Sequence, residues 1–476
     1  MLYNSFQFLF VFLPACLLLY FLAARVSRDL ANVALCVASF YFYAWRKDWS
    51  VDLRLLTIIA ISILLNYTIG VLLREQRVAG RRAFAVLTVG VVVNLAALAY
   101  FKYANFALWN ISALMGRPYA PLAIALPLGI SFFTFTQIAF LVDAYRGKAR
   151  ELGFARYCLF VAFFPHLIAG PIVHHSELMP QFAATGAKRW LPPNVHIGIA
   201  FLTLGLFKKV IIADTCAPWA DKVFNFAGSV PFVDAWRGAI AYTMQLYFDF
   251  SGYSDMAIGL AMMFNIRLPD NFFSPYKSVS IVDFWRRWHI TLSRFLRDYL
   301  YIPLGGNRKG EARRQLNLML TMLLGGIWHG AGWTFAAWGA YHGALLTVNH
   351  AWEKRGKPLP NWLARFATFI AVIIGWVMFR ASSMRVAADR LRSMAGFAPA
   401  SAAPPRPWSM VSGQVAILVI LLFFVNLAPN TKQWIETRPL IPRRAVLLAA
   451  LFFLCVLWMH DALLSHAPQP FIYFQF

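Results

Sequence analysis

Apolar runs long enough to cross a bilayer as helices recur from one end of this 476-residue chain to the other. No other feature limits its fold as much. The runs are Phe8–Ala23, Leu30–Trp45, Leu55–Leu73, Ala83–Phe101, Ile124–Val142, Phe154–Gly170, Val195–Ile212, Trp236–Phe264, Leu316–Val348, Trp362–Phe379, Val415–Leu427 and Ala445–Leu464. Trp236–Phe264 and Leu316–Val348 are long enough to be broken or re-entrant. Backbone groups in lipid must find their hydrogen bonds internally, so these runs predict a helical bundle and not a sheet. The expected fold is an all-α polytopic membrane protein with about eleven transmembrane helices, give or take two, plus re-entrant and interfacial helices. It is read as one domain over residues 1–476. Sixty per cent of the residues are hydrophobic and 13% are charged, about half the charged share of a soluble chain.

The formal charge of +24 invites a nucleic-acid reading. The placement of the charge argues against it, because the cations sit in short loops between apolar runs, where the positive-inside rule puts them. Arg25 and Arg28 follow the first run, and Arg74, Arg77, Arg81 and Arg82 follow the third. Both clusters then face the cytoplasm and the N-terminus lies outside; Arg46 and Lys47 fit this less well. No basic segment precedes the first run and no small-residue cleavage site follows it, so it reads as a retained span. The five cysteines form no C-x-x-C pair, which disfavours a structural metal or a disulfide framework. The stretch "APASAAPPRP" at 398–407 reads as a loop.

Residues 283–298, "DFWRRWHITLSRFLRD", look amphipathic. On a continuous helix Asp283, Arg286, Arg287, Arg294, Arg297 and Asp298 share one arc of about 120°, with Trp285, Trp288 and Phe295 opposite. Such a helix would lie at the interface, with His289 on the flank of its apolar face. Between 286 and 314 eight basic residues face only Asp298 and Glu311. A cytoplasmic loop explains that density. So does a phosphate-bearing donor such as coenzyme A.

No Asp, Glu, Lys or Arg occurs from Gln315 to Trp352, yet "GGIWHGAGW" places His329 inside that stretch. An ionisable side chain in a membrane segment is either functional or hydrogen-bonded polar glue between helices. Gly325, Gly326, Gly330, Ala331 and Gly332 remove bulk around it, and Trp328 and Trp333 supply rigid walls. A buried neutral imidazole can take a proton from a hydroxyl. Metal binding is disfavoured: no H-x-x-x-H or H-E-x-x-H occurs, His174–His175 are adjacent, and His342 would face away from His329 on a continuous helix. No G-x-S-x-G elbow is present.

The blocks "FWRRWHITLSRFLRDYLYIPLGGNRKG" and "LGGIWHGAGWTFAAWGAYHG" resemble the membrane-bound O-acyltransferase family. They look most like its bacterial branch of alginate O-acetyltransferase membrane subunits and teichoic-acid D-alanyl exporters. "QLYFDFSGYSDMAIGLA", "FFPHLIAGPIVHHSELMPQF", "PLGISFFTFTQIAFLVDAYRG" and "YFKYANF" are similar to the same branch. The resemblance covers roughly residues 1–350, with its motifs between about 100 and 350. It implies a ring of helices around a central tunnel, a catalytic histidine at His329 and the second family histidine at His289. It also implies acetyl-CoA as donor, with no bound cofactor or metal, and phosphate contacts near Arg286, Arg287 and Arg308. Trp285, Trp288 and Trp328 would wall the site, and Asp249, Ser251, Tyr253 and Asp255 would line the tunnel. The implied setting is the bacterial cytoplasmic membrane, beside membrane lipids and a polysaccharide synthesis and export complex. There a separate SGNH-hydrolase-like transferase outside the membrane would receive the acyl group.

Three readings compete. An acyltransferase needs the chemistry of His329. A transporter or flippase would use the histidines along a proton or substrate path and move its substrate without acyl transfer. A scaffold would tolerate a hydrogen-bonding replacement of His329.

Overall fold

The computed structural model describes the whole chain except residues 75–79, 150–152, 185–189, 357, 398–407, 437–440, 466–468, 470 and 473–476. Arg77 and the 398–407 loop lie outside the described residues. Every extended element among the described residues is helical, apart from one isolated bridge between Trp45 and Val51. The chain separates into two compact units. One comprises residues 1–203 and 254–269, the other 204–253 and 270–476.

The first unit contains α1 (Leu13–Val26), α2 (Arg28–Ala44), α3 (Leu53–Arg74), α4 (Gly80–Leu98), α5 (Ile130–Tyr145), α6 (Phe154–Ala162) and α7 (Pro192–Leu206, up to Thr203). Ser27 starts α2 by accepting the Leu30 N–H on its hydroxyl at 3.1 Å. Asn66 of α3 and Asn94 of α4 exchange side-chain hydrogen bonds of 3.2 and 2.7 Å, the polar glue that joins helices where water is excluded.

The second unit carries α8 (Phe232–Met263, up to Tyr253), α9 (Ile281–Arg287), α10 (Ile290–Leu296), α11 (Glu311–His329), α12 (Trp333–Glu353), α13 (Asn361–Arg380), α14 (Met384–Met394), α15 (Trp408–Leu427) and α16 (Pro442–Ser465). The expected break inside Trp236–Phe264 is absent, and α8 runs unbroken for 32 residues. The expected break inside Leu316–Val348 is present: the chain turns at Gly330–Gly332, and α11 and α12 form a hairpin.

Among the described residues six helices are long and apolar enough to cross a membrane: Gln7–Val26, Leu53–Arg74, Gly80–Leu114, Pro192–Phe224, Asn361–Arg380 and Pro442–Leu464. Two shorter apolar helices, Ile130–Tyr145 and Val411–Leu427, accompany them. The chain is thus a polytopic all-α membrane protein, with six clear spans where about eleven were expected. Phe154–Gly170 shows one reason for the difference. It folds as the nine-residue α6, a short turn of helix and an irregular stretch, with Tyr157 to Gly170 all buried in protein. Apolar sequence there answers to protein packing, not to lipid.

Candidate active site

The hairpin of α11 and α12 places the first histidine. Its two helices touch backbone to backbone: a Cβ on Gly326 would lie 2.9 Å from the Gly339 Cα, and one on Gly343 would lie 2.8 Å from the Met319 sulfur. A side chain on Gly330 would overlap the Phe335 ring. Glycine at these positions serves close helix packing. Gly325 alone of the small residues around His329 lines the cavity beside it, and a Cβ there would lie 3.1 Å from a Leu296 methyl. His329 ends α11 and is 6% exposed. Trp328, Trp338 and Phe379 surround its ring edge-on, with centroids 5.0, 5.3 and 5.2 Å away.

The second histidine sits at a break that the helical pattern conceals. Residues 283–298 are not one amphipathic helix. α9 stops at Arg287, α10 starts at Ile290, and His289 between them takes the left-handed conformation with φ 42° and ψ 54°. A non-glycine residue held there is uncommon and carries backbone strain of about 1–3 kcal/mol. The arc calculated for a continuous helix therefore fails, and His289 points inward, fully buried. Ser280 caps α9 by accepting the Asp283 N–H at 3.1 Å.

Asn271 fixes the orientation of His289. Its Oδ1 lies 3.1 Å from His289 Nδ1 and accepts the Thr291 hydroxyl at 2.9 Å. Its backbone carbonyl accepts the Ile290 N–H at 3.0 Å. An amide oxygen only accepts, so His289 Nδ1 carries the proton and Nε2 the lone pair. Burial pushes the imidazole down to about 3, which keeps it neutral across physiological pH. The Phe250 ring meets it edge-on at 4.8 Å. The centroids of His289 and His329 are 6.4 Å apart. Asn271 is the residue that sequence reasoning missed. It lies 18 positions upstream of its partner, and no periodicity connects them.

A cavity of about 570 Å³ opens beside His329. Trp285, Arg286, Arg294, Arg297, Tyr301, Thr321, Trp338 and His350 line it. From Trp338 to His350 it follows α12 for about 18 Å at 1.5 Å per residue. Of the three arginines expected near the donor phosphates, Arg286 lines this cavity and Arg287 and Arg308 do not. Arg287 pairs with Asp283 at 2.8 Å, and Arg308 is exposed on the loop before α11. Arg294 and Arg297 line it as well, Arg297 with its guanidinium on Asp298 at 2.7 Å. Trp285 lines the cavity, Trp328 packs on His329, and Trp288 turns away into a cluster with Phe272, Phe284 and Trp376.

The "DFSGYSD" stretch is placed differently from the expectation, and none of its four candidates lines this cavity. Asp249 pairs with Lys209 at 2.6 Å and accepts the Ile472 N–H at 2.7 Å. Tyr253 stacks on Phe471, with centroids 4.5 Å apart. Ser251 is buried, and Asp255 belongs to the first unit. No group of three metal-ligating side chains occurs among the described residues. His329 and His342 do not meet, since the Trp338 ring stands between them, 5.3 Å from one and 4.9 Å from the other.

A buried histidine at a cavity, an oriented second histidine and an arginine-lined slot suit acyl transfer from a phosphate-bearing donor. Comparison with known proteins agrees. The chain is 44% identical over 428 residues to a peptidoglycan O-acetyltransferase of Helicobacter pylori, covering 83% of this chain and 80% of that one. It is 41% identical to a probable alginate O-acetylase AlgI of Pseudomonas putida over the full length of both. A teichoic acid D-alanyltransferase of Bacillus subtilis is 30% identical over 52% of this chain and 65% of its own. The profile of the MBOAT, membrane-bound O-acyltransferase, family matches residues 43–387. The chain therefore belongs to the membrane-bound O-acyltransferase family and is an acyltransferase of the membrane.

Proposed function

We propose that this protein moves an acetyl group from cytoplasmic acetyl-CoA to an acceptor hydroxyl at His329, for O-acetylation of a polysaccharide outside the cytoplasmic membrane. The observation that carries this reading is the slot that runs from three arginines to His329. Its far end, at His350, lies on the side of the basic loop at 301–314, because Glu311 and Lys354 join the outer ends of α11 and α12 at 2.7 Å. By the positive-inside rule that side is cytoplasmic. Arg286, Arg294 and Arg297 suit the phosphates of a nucleotide-like donor, and a slot of about 18 Å suits an extended arm that delivers a thioester to the base.

In this mechanism His329 accepts the proton of the acceptor hydroxyl as its oxygen attacks the thioester carbonyl carbon. The new C–O bond forms, the C–S bond breaks, and the coenzyme A thiolate leaves and takes up a proton. His289, held by Asn271 with Nε2 as its lone-pair nitrogen, positions the acceptor or the developing charge. The finer architecture belongs to the same proposal: a single domain with a ring of helices around a tunnel, and additional helices at membrane depth that bring the count toward eleven. The recipient is then an SGNH-hydrolase-like transferase on the far side, within a polysaccharide synthesis and export complex.

Acetyl is favoured over D-alanyl because the acetylating relatives match most or all of the chain, and the D-alanylating one about half. A deletion strain complemented with the wild-type gene tests this. Alkali-labile acetate on the surface polysaccharide should vanish on deletion and return on complementation, and the polymer that regains it identifies the acceptor. Return of ester-linked D-alanine instead of acetate would replace the acetyl reading. Unchanged esters of both kinds in the deletion strain would remove the function.

A further inference from the structure

A second cavity, of about 660 Å³, lies away from the histidines, at the N-terminal end of the membrane-crossing helix α13. Asn361, Trp362, Arg365, Phe366 and Phe369 of α13 and Asn426 of α15 line it. Three elements meet there. The turn Pro275–Lys277 packs on α13 through the Tyr276 and Phe369 rings, 5.2 Å apart and edge-on. Lys277 Nζ then donates to the Ala428 carbonyl just beyond α15, at 2.7 Å.

The lining has two characters. Trp362 and Phe366 are 72% and 61% exposed on a span that faces lipid, the position of an interfacial aromatic belt. Arg365 lines the cavity beside them, Lys277 lies on the turn packed against α13, and Arg287 ends α9. Among the described residues the only carboxylate paired with any of the three is Asp283, on Arg287. Arg365 makes no ion pair among the described residues, and Lys277 bonds only backbone carbonyls there. Burial first, then the positive charges of Arg365 and Arg287, pull the Lys277 ammonium below its ordinary value. α13 begins a few residues after Lys354, on the side that the Glu311–Lys354 pair and the basic loop mark as cytoplasmic. The cytoplasmic leaflet is where a basic cluster at the surface meets anionic headgroups.

We infer that this cavity binds an anionic phospholipid, with its phosphate at Arg365 and Lys277 and its acyl chains along Trp362 and Phe366. Arg365 on the cavity wall, with Lys277 on the turn packed against α13, favours a negative charge there, and the exposed rings next to them offer a surface that chains cover and a free anion leaves bare. The site needs no part of the acetyl-transfer mechanism and stands or falls apart from it.

Thermal unfolding of the full-length protein in a neutral detergent tests the inference. The ligands are dihexanoyl phosphatidylglycerol, dihexanoyl phosphatidylcholine and inorganic phosphate. The wild type should gain a saturable rise in Tm from the phosphatidylglycerol that the other two do not match. Arg365 is exposed, so Arg365→Gln should leave the starting Tm nearly unchanged while weakening the phosphatidylglycerol response about tenfold, the loss expected for one charge-assisted contact. Trp362→Ala, also at an exposed position, should weaken it several-fold. Equal responses to phosphate would make this a general anion site, and equal responses to phosphatidylcholine would make it ordinary lipid solvation. Either result overturns the proposal, as would an unaltered phosphatidylglycerol response in Arg365→Gln.

Discussion

His329→Ala is expected to abolish polysaccharide O-acetylation while the protein still inserts and accumulates in the membrane. General-base assistance contributes roughly 10²–10⁴-fold, and the whole of it is lost with the imidazole. The replacement should fold, because Ala at the end of α11 keeps the helix and the Gly326–Gly339 contact that holds the hairpin. His329→Gln separates the competing readings. Gln retains a donor and an acceptor, so polar glue or a scaffold would tolerate it, whereas a base would not. Ester content measured at matched membrane levels is the readout. Full acetylation in His329→Gln would show that the histidine is structural.

The largest expected loss of stability comes from a different group. Lys209 lies in a π-helical turn, Phe207–Ala213, within the apolar span Pro192–Phe224. Its ammonium is 2.8 Å from Asp214 and 2.6 Å from Asp249, and its side chain is only 5% exposed. Asp249 also holds the backbone of Ile472 near the C-terminus. Lys209→Met fills the same volume but leaves two carboxylates buried without their cation. Breaking a buried pair in this way costs about 3–5 kcal/mol. Thermal unfolding in detergent should show a steep fall in Tm, or failure to yield folded protein. The triple change Lys209→Met, Asp214→Asn, Asp249→Asn should recover most of that loss, because no buried charge then remains. A Tm for Lys209→Met within a degree or two of wild type would mean that the network contributes nothing.

How far the sequence reveals this site depends on whether a signal is local. Apolar length announces the membrane, and Gly330–Gly332 announces the hairpin. The charge-free stretch around His329 marks the candidate base because an ionisable group there needs a reason. The break at His289 is hidden, since both short helices continue one helical period and the residue between them is not a glycine. A helical wheel assumes continuity, and here a single left-handed residue removes it. Beyond the break Arg294 and Arg297 line the cavity, while Arg287 pairs with Asp283 one turn back within α9. Asn271 and the Lys209–Asp249 pair are hidden for another reason. Each joins positions far apart in the chain, and polar partners brought together by packing leave no periodic trace. "DFSGYSD" looked like a broken polar helix, whereas Asp249 has its charge partner on another helix and α8 stays whole.

In the proposed route acetyl passes from a cytoplasmic donor, through the arginine-lined slot, to chemistry at His329. Sealed, inverted membrane vesicles from the source bacterium, given acetyl-labelled coenzyme A from outside, test it most directly. Their outer face is the cytoplasmic face of the cell. Alkali-labile label should accumulate on polymer inside vesicles that carry the wild-type protein, and stay at the deletion background in vesicles that carry His329→Ala. Label that enters equally with His329→Ala, or that never enters with wild type while the polymer is acetylated in the cell, would contradict the account.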